Sequence, residues 1–307
     1  MKDLDYTPNA LAQGLAGSRR GIIAIHFPYH LHGLNITEFE YITAASERAL
    51  RRGYHLLLWS NSIDDLDGLG SLVNQRLVDG VILMEVLLVD PRILVLRKNA
   101  LPFAMIGRPE DTEGVIYVDN DFEALARDAI DYLADLGHRD IVYLAQSDEA
   151  IATGHGPFAR TERAIGLPAW RRGVNLVRLH ADCSLRAGFQ ALDHLSGLNP
   201  RPTAVIGFNE MATSGLLHAA ALAGITIPDD LAVVGLGMAA GAAEMLIPPL
   251  TTVSPQSRLI ADKAVDALID VIEGAEDGIP QVLIAPTLTV RDSSAPSTSA
   301  GQLNPVR

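Results

Sequence analysis

Short apolar runs alternate with longer amphipathic segments along most of the chain. In the longer segments, apolar residues recur at three- and four-residue spacing, which predicts helices at residues 39–52, 121–136, 211–223 and 256–272. Each predicted helix ends at or near a glycine that can stop it, namely Gly53, Gly137, Gly224 or Gly274. The short runs predict buried strands at residues 21–27, 54–59, 80–84, 103–106, 141–145, 176–179, 204–208 and 231–236.

Strands that alternate with helices are typical of parallel sheets covered by helices on both faces. About eight parallel strands exceed one five-stranded sheet, so the pattern predicts an α/β protein with two doubly wound sheets of similar size. Residues 293–307 are rich in Ser, Pro and Gly and lack periodicity, which predicts a disordered tail.

Composition narrows the protein class. The chain has 307 residues, 48% of them hydrophobic, and a mean hydropathy of +0.19, which indicates a compact globule. Its longest apolar run is interrupted by Glu85, and the first residues show no secretory signal, so we expect a cytoplasmic protein without a membrane partner. The single cysteine, Cys183, excludes an internal disulfide and a cysteine-built zinc site, and we expect it to be a half-buried packing residue.

The net charge of −13 argues against nucleic-acid binding by the body of this chain, because phosphate neutralisation supplies most non-specific affinity. Any DNA contact must therefore be local or come from residues beyond this sequence.

One glycine-rich turn raises the possibility of an enzyme. The stretch LAVVGLGMAAGAAEML places Gly235, Gly237 and Gly241 between a strand and a helix, which is the layout of a dinucleotide site. Such a fingerprint belongs in the first βα unit, however, with an acidic residue about 20 positions later; here Asp262 falls inside a helical pattern. We therefore favour a tight βα turn beside a cleft and expect no cofactor, with an NAD-dependent enzyme as the alternative.

Three histidines near the first strand, His26, His30 and His32, suggest a metal site. Pro28 makes a helical pair of ligands improbable, and no Asp, Glu or Cys close in sequence completes a site, so we expect no metal. A loop at the carboxyl end of a strand is the better interpretation, and such ends are where open parallel sheets bind ligands.

Several segments together resemble the lactose-repressor/galactose-repressor (LacI/GalR) family of bacterial transcription regulators. The most specific are LGHRDIVYL from Leu136 and RPTAVIGFNEMATSGLLHAAALAGITIPDDLAVVG from Arg201, and the similarity runs from Tyr6 to about Asp292. The resemblance implies two Rossmann-like lobes joined by three crossovers, with an effector between them. It places one lobe at 21–119 plus 254–283 and the other at 120–253 plus 284–292.

The resemblance also assigns a role to Gly237. Family members often end this strand with Gly-aromatic-Asp, and the Asp hydrogen-bonds the effector; in this sequence Gly237 takes the Asp position. Sugar-binding members depend on such a carboxylate because it accepts two hydroxyl hydrogen bonds. The change favours a less hydroxylated, bulkier or acidic ligand, or no ligand.

Five further positions carry over from the family's effector site. Arg163 is either the guanidinium that binds ligand oxygens or an exposed helix charge, and Asn209 is either an effector ligand or a helix N-cap. Asp119 lies where the chain first crosses between lobes, with a structural cap as the alternative to effector binding. Phe27 and Tyr29 either stack on the ligand or are ordinary packed aromatics.

Residues 1–20 resemble the end of the family's DNA-binding headpiece and its hinge helix. Pro8 and Asn9 would open the hinge, and Leu15 would wedge into the minor groove; a frayed terminus is the alternative. A helix-turn-helix normally precedes the hinge, so we expect this sequence to lack most of it and to bind DNA poorly alone.

The leading hypothesis is the effector-binding and dimerisation core of a bacterial transcription regulator, a homodimer in which small-molecule binding changes operator affinity. It is not expected to be an enzyme. The alternative is a solute-binding protein of the same fold, which should carry a signal peptide and no hinge.

Overall fold

The structure is a computed structural model that describes residues 20–28, 36–275 and 279–296. The chain divides into two compact units. Unit 1 holds the described residues within 20–28, 41–118 and 258–282, and unit 2 holds those within 36–40, 119–257 and 283–296.

The described residues form twelve strands and eleven helices. The strands are β1 Ile22–His26, β2 His55–Trp59, β3 Gly80–Leu83, β4 Phe103–Ile106, β5 Tyr117–Asn120, β6 Asp140–Gln146, β7 Asn175–Ala181, β8 Ala204–Gly207, β9 Ala232–Leu236, β10 Thr251–Ser254, β11 Gln281–Ile284 and β12 Thr287–Thr289. The helices are α1 Ile36–Arg51, α2 Leu66–Asn74, α3 Arg92–Lys98, α4 Phe122–Asp135, α5 Asp148–Ala152, α6 Gly156–Ala164, α7 Gly166–Arg171, α8 Leu185–Ser196, α9 Glu210–Leu222, α10 Ala240–Glu244 and α11 Ser257–Glu273.

Every strand and helix that the apolar pattern predicts is present. The four predicted stop glycines all adopt positive φ, between 72° and 91°, as a left-handed helix end requires. The pattern missed β5, β10 and β12 because these short strands carry Asp, Asn, Thr or Ser in place of continuous apolar residues. It also missed β11, which has only four residues, three of them at least partly exposed.

The strands form two six-stranded sheets with the same order. The first is β11-β5-β4-β3-β1-β2, and the second is β12-β10-β9-β8-β6-β7. The ladders of β1 with β2 and β3, and of β6 with β7 and β8, are parallel; β12 runs antiparallel to β10. The predicted α/β class with two mostly parallel sheets is confirmed.

The central strands are buried on both faces, which explains their continuous apolar sequences. In the second sheet, Ile141 and Tyr143 of β6 pack with α4 and α7 on one face, while Val142 and Leu144 pack with α8 and α9 on the other. In the first sheet, all four residues of β3 are buried.

The predicted disordered tail begins too early, at residue 293, because residues 293–295 are hydrogen-bonded to unit 2. Ser293 is fully buried: its hydroxyl donates to the Val233 carbonyl at 2.6 Å and accepts from the Thr251 N–H at 2.8 Å. His138, of the Gly-His-Arg motif, donates from Nε2 to the Ala295 carbonyl at 3.0 Å. These bonds attach residues 293–295 to unit 2, whereas residues 297–307 lie outside the described part of the chain.

Candidate functional site

The carboxyl ends of parallel strands are the usual ligand-binding edge of an open α/β sheet. At this edge of the second sheet, β6 ends at Gln146, β8 at Gly207 and β9 at Leu236. The residues that follow these strand ends include two of the predicted site positions, Asn209 and Gly237.

Asn209 holds the ends of three chain segments together. It is fully buried, and its side-chain NH₂ donates to Gln146 Oε1 at 3.2 Å and to the carbonyls of Ala181 and Asp182 at 3.0 and 3.1 Å. Its Oδ1 accepts from the Ala212 N–H and caps α9. Of its two predicted roles, the structure shows the N-cap, and the effector role stays a prediction.

An aromatic cluster lies beside this amide. Phe208, which directly follows β8, has its ring centroid 6.1 Å from Phe158 in an edge-to-face arrangement and 6.5 Å from Tyr143. His155 in turn packs against Phe158 at 4.2 Å. Burial raises the pKa of Tyr143 well above its ordinary value, so its phenol is neutral. Phe208 alone of these four side chains is partly exposed, which makes it the accessible part of the cluster.

Gly237 follows β9 and adopts φ of +71°. A Cβ at this position would lie 3.0 Å from Phe208 Cε2 and 3.4 Å from Cδ2. The place of the carboxylate that the family resemblance implies is therefore next to an aromatic ring.

Gly235, the first glycine of the predicted turn, lies inside β9 in a closely packed position. A Cβ there would lie 2.8 Å from Leu250 Cδ2 and 3.0 Å from Thr252 Cγ2, both on the β10 side. The helix after the turn, α10, has only five residues. Packing thus accounts for a glycine that the alternative enzyme hypothesis would assign to a phosphate.

A polar cleft of about 450 Å³ lies at the ends of β6 and β7. Its walls include Ser147, Asp148, Asp182, Gln190 and His194. His180 Nδ1 contacts Asp148 Oδ1 across 2.5 Å within this cleft.

A second cleft in unit 2, of about 550 Å³, is mainly apolar. It is lined by Ile36, Phe39, Leu185, Glu210, Met211, Ser214, Met238, Ala242, Met245 and Leu246. Burial raises the pKa of Glu210, whose carboxylate accepts a 2.8 Å hydrogen bond from the Thr37 hydroxyl.

The corresponding edge of the first sheet carries a buried ionic cluster that the sequence did not reveal. Arg92 is fully buried, and it donates to Asp90 Oδ1 from Nε at 2.9 Å and to Oδ2 from Nη2 at 2.6 Å. Its Nη1 donates to His26 Nδ1 at 2.9 Å, so His26 Nε2 carries the proton and donates to the Asn61 carbonyl. Burial, aided by the positive charge of Arg92, lowers the pKa of His26 to about 4.

The remaining predicted residues have these positions. Arg163 is exposed in the last turn of α6. Phe27 is 3% exposed, and its N–H donates to the Trp59 carbonyl. Asp119 is buried and accepts from the Asn120 N–H, whereas the N-cap of α4 is Asp121, so the predicted cap is two residues away. Tyr29, the hinge residues Pro8, Asn9 and Leu15, and His30 and His32 lie outside the described residues.

Three further features concern only the described part of the chain. No group of three or more His, Cys, Asp or Glu side chains there could hold a metal ion. None of the helices described is long and apolar enough to cross a membrane. Cys183 is half-buried as predicted, and burial raises the pKa of its thiol.

Comparisons with known proteins identify the family. The model of the periplasmic binding protein-like domain matches residues 130–294. The chain is 30% identical over 239 residues to catabolite control protein A of Priestia megaterium, an alignment that spans 76% of this chain and 69% of that protein. It is 25% identical over 303 residues to the probable HTH-type transcriptional repressor ExuR of Bacillus subtilis, with 95% and 86% covered.

A solved structure agrees with these sequence relatives. The regulatory protein of LacI family from Chloroflexus aggregans superposes with a TM-score of 0.78 at 26% identity, over 90% of this chain and 99% of that one. The curated relatives are transcriptional regulators rather than enzymes, and they do not favour the solute-binding alternative. This chain therefore belongs to the LacI/GalR family of transcriptional regulators and contains its periplasmic-binding-protein-like core.

Proposed function

We propose that this regulator binds a small-molecule effector at the carboxyl edge of the second sheet and that binding changes its affinity for operator DNA. The observation that carries the proposal is the match to a probable transcriptional repressor over 95% of this chain. The partly exposed Phe208 at the carboxyl edge of the second sheet supports the position of the site. A cytoplasmic location and the absence of catalysis follow from this role.

The site residues divide into two groups in this proposal. Gly237 and Arg163 face the effector, since the first leaves space beside Phe208 and the second is exposed at the end of α6. Phe27, Asp119 and Asn209 support the strand ends, because all three side chains are buried. Tyr29 is proposed as a further stacking residue, and the hinge residues Pro8, Asn9 and Leu15 as the DNA contacts.

The regulator acts as a homodimer in this proposal. Unit 2 exposes several large apolar side chains, including Leu185, Phe189, Met211, Met245 and Ile247, with Ile247 87% exposed. Leu185, Met211 and Met245 line the same apolar cleft. A twofold dimer would cover such a surface and match operators with paired half-sites.

The dimer proposal has a direct test. Ile247→Asp should convert the protein from dimer to monomer in light scattering coupled to gel filtration. Leu94→Asp is the matched control, because Leu94 is 71% exposed but lies in unit 1. A dimer that survives Ile247→Asp together with Met245→Asp would place the interface elsewhere.

The regulatory proposal is tested in the source organism. Chromatin immunoprecipitation of the protein should enrich a small number of promoters, and deletion of its gene should change the transcripts from those promoters. Restoring the gene should reverse the change. A protein that occupies no promoter and whose deletion alters no transcript would instead fit the solute-binding alternative.

A further inference from the structure

We propose that the ligand-binding edge of the second sheet recognises a planar ring compound, aromatic or heteroaromatic, and that Phe208 sets this preference. The inference rests on the proposed function, because it names the class of effector for that same edge.

The first argument is the accessibility of Phe208. The residue follows the carboxyl end of β8 and is partly exposed, while Phe158 and Tyr143 pack beside its ring. These two neighbours are 7% and 1% exposed, so buried aromatic side chains support the ring. A supported aromatic side chain favours ligands with a ring, because offset or edge-to-face pairs gain about 0.5–1.5 kcal/mol beyond area burial.

The second argument is the backbone beside the ring. Gly237, at the end of the neighbouring strand β9, presents no side chain, and a Cβ there would come within 3.0 Å of the Phe208 ring. Phe158 and Tyr143 also pack beside the ring, so a side chain at 237 would compete with these contacts. Glycine at 237 therefore leaves backbone without a side chain next to the ring.

The third argument is the polar inventory of this edge. The Asn209 NH₂ is taken by Gln146 and two carbonyls, and its Oδ1 caps α9. The next residue, Glu210, accepts from Thr37. No carboxylate occurs in Gly207–Asn209 or in Leu236–Met238, and the carboxylates of Asp148 and Asp182 line the polar cleft at the ends of β6 and β7 instead. Beside Phe208 itself, a ligand with many hydroxyl groups therefore finds few partners, whereas a planar ring needs few.

The experiment compares two sets of small molecules on the full chain. The planar set is indole, adenine and 4-hydroxybenzoate, and the hydroxylated set is ribose, glucose and cellobiose, all at millimolar concentration. Saturation-transfer NMR detects binding and titration calorimetry gives the affinities. We expect a planar compound to bind and the hydroxylated set to bind more weakly or not at all.

Variants then locate the site. Phe208→Ala should weaken the planar compound about tenfold, equal to about 1.4 kcal/mol, and Phe208→Tyr should retain its binding. Phe208→Leu should give an intermediate loss because it keeps apolar volume without the ring. Trp170→Ala, on α7, is the matched control, since Trp170 is 77% exposed and is not part of the aromatic cluster. Thermal melting of each variant confirms that it is folded.

Three results would overturn the inference. They are binding of the hydroxylated set in preference to the planar set, no binding of any planar compound, or planar binding that Phe208→Ala leaves unchanged. Promoter occupancy separates this failure from failure of the proposed function: a regulator that occupies promoters but prefers sugars keeps its function and loses only this specificity.

Discussion

The two sheets have the same strand order, but different chemistry holds the ends of their central strands. In the first sheet, His26 at the end of β1 is joined to Arg92 and Asp90, which follow β3, by a buried ionic cluster. In the second sheet, Gln146 at the end of β6 is joined to Asn209, which follows β8, by neutral amides. The strands β1 and β6 occupy equivalent places in the two orders, as do β3 and β8.

The difference shows how one architecture supports two kinds of edge. Every nitrogen of the Arg92 guanidinium has a protein partner, so this cluster is closed to a ligand and depends on charge. The hydrogen-bonded amides of Asn209 and Gln146, which we call the amide hub, have no ionic charge and lie beside Phe208, which is partly exposed. Stability at the first edge should therefore respond to charge and pH, and stability at the second to loss of hydrogen bonds.

The largest loss of stability is expected for Asp90→Ala, which disrupts the ionic cluster of the first sheet. It leaves the fully buried Arg92 guanidinium without its carboxylate, and an uncompensated buried charge costs about 3–5 kcal/mol. Urea unfolding measures the loss of stability. Trp59 fluorescence reports on the unfolding, because the Trp59 ring centroid lies 4.3 Å from that of His26, and a Trp170→Phe background removes the other tryptophan. Arg51→Ala, which removes the ion pairs of a 48% exposed side chain with Asp262 and Glu47, should cost at most about 1 kcal/mol. Equal losses in the two variants would contradict the closed-cluster interpretation.

The second prediction concerns pH at the same edge. Because His26 has a pKa of about 4 in the folded protein, against 6.5 ordinarily, the unfolded chain binds a proton in this window that the folded chain does not. The free energy of unfolding of unit 1 should therefore fall by up to about 3 kcal/mol as the pH drops from 6.5 to about 4.

Urea titrations at several pH values measure this slope. His26→Gln should remove its part of the pH dependence, and His55→Gln, which removes an imidazole from an exposed position of β2, is the matched control. An unaltered slope in His26→Gln would show that other groups cause the dependence.

The third prediction concerns the amide hub. Asn209→Ala removes the N-cap of α9 and the donors to Gln146, Ala181 and Asp182, which should cost about 2–3 kcal/mol. Hydrogen exchange by mass spectrometry should show faster exchange in β8 and α9. Ser184→Ala removes a single cap, that of α8, and should cost about 1 kcal/mol. If Asn209→Ala is no worse than Ser184→Ala, the hub is only a cap.

The smallest effect is expected at residue 293, on the β10 side of the second sheet. Ser293→Ala removes two buried hydrogen bonds, to Val233 and Thr251, and should cost about 1–2 kcal/mol. Exchange should rise in β9 and β10 and not in β6. The control is Ser196→Ala, whose hydroxyl bonds only to the Leu192 carbonyl within α8. Equal exchange in both variants would mean that residues 293–295 are not attached as described.

Apolar periodicity predicted eight of the twelve described strands because the central strands are buried on both faces, but it predicted only four of the eleven described helices. It missed β10, since Thr251 and Thr252 are fully buried but polar, and Thr251 bonds to residues far along the chain, Arg291 and Ser293. The sequence around β10 does not show which distant residues will bond to it.

The same limit applies to the candidate site. Asn209 could be predicted because its place after a strand is visible in the sequence. The Arg92 cluster could not, because His26 lies 66 residues away and Asp-Pro-Arg alone resembles an exposed helix start. The sequence interpretation did not include Phe208 among the site residues. It could have done so, because Phe208 is an aromatic residue that ends an apolar strand and adjoins Asn209.

The attachment of residues 293–295 has a practical consequence for anyone who labels this protein. A reporter or purification tag joined directly after Asp292 would remove the Ser293 hydroxyl and the Ala295 carbonyl that binds His138. A fusion joint placed after Pro296 keeps these bonds intact and leaves the regulator's second sheet in its native state.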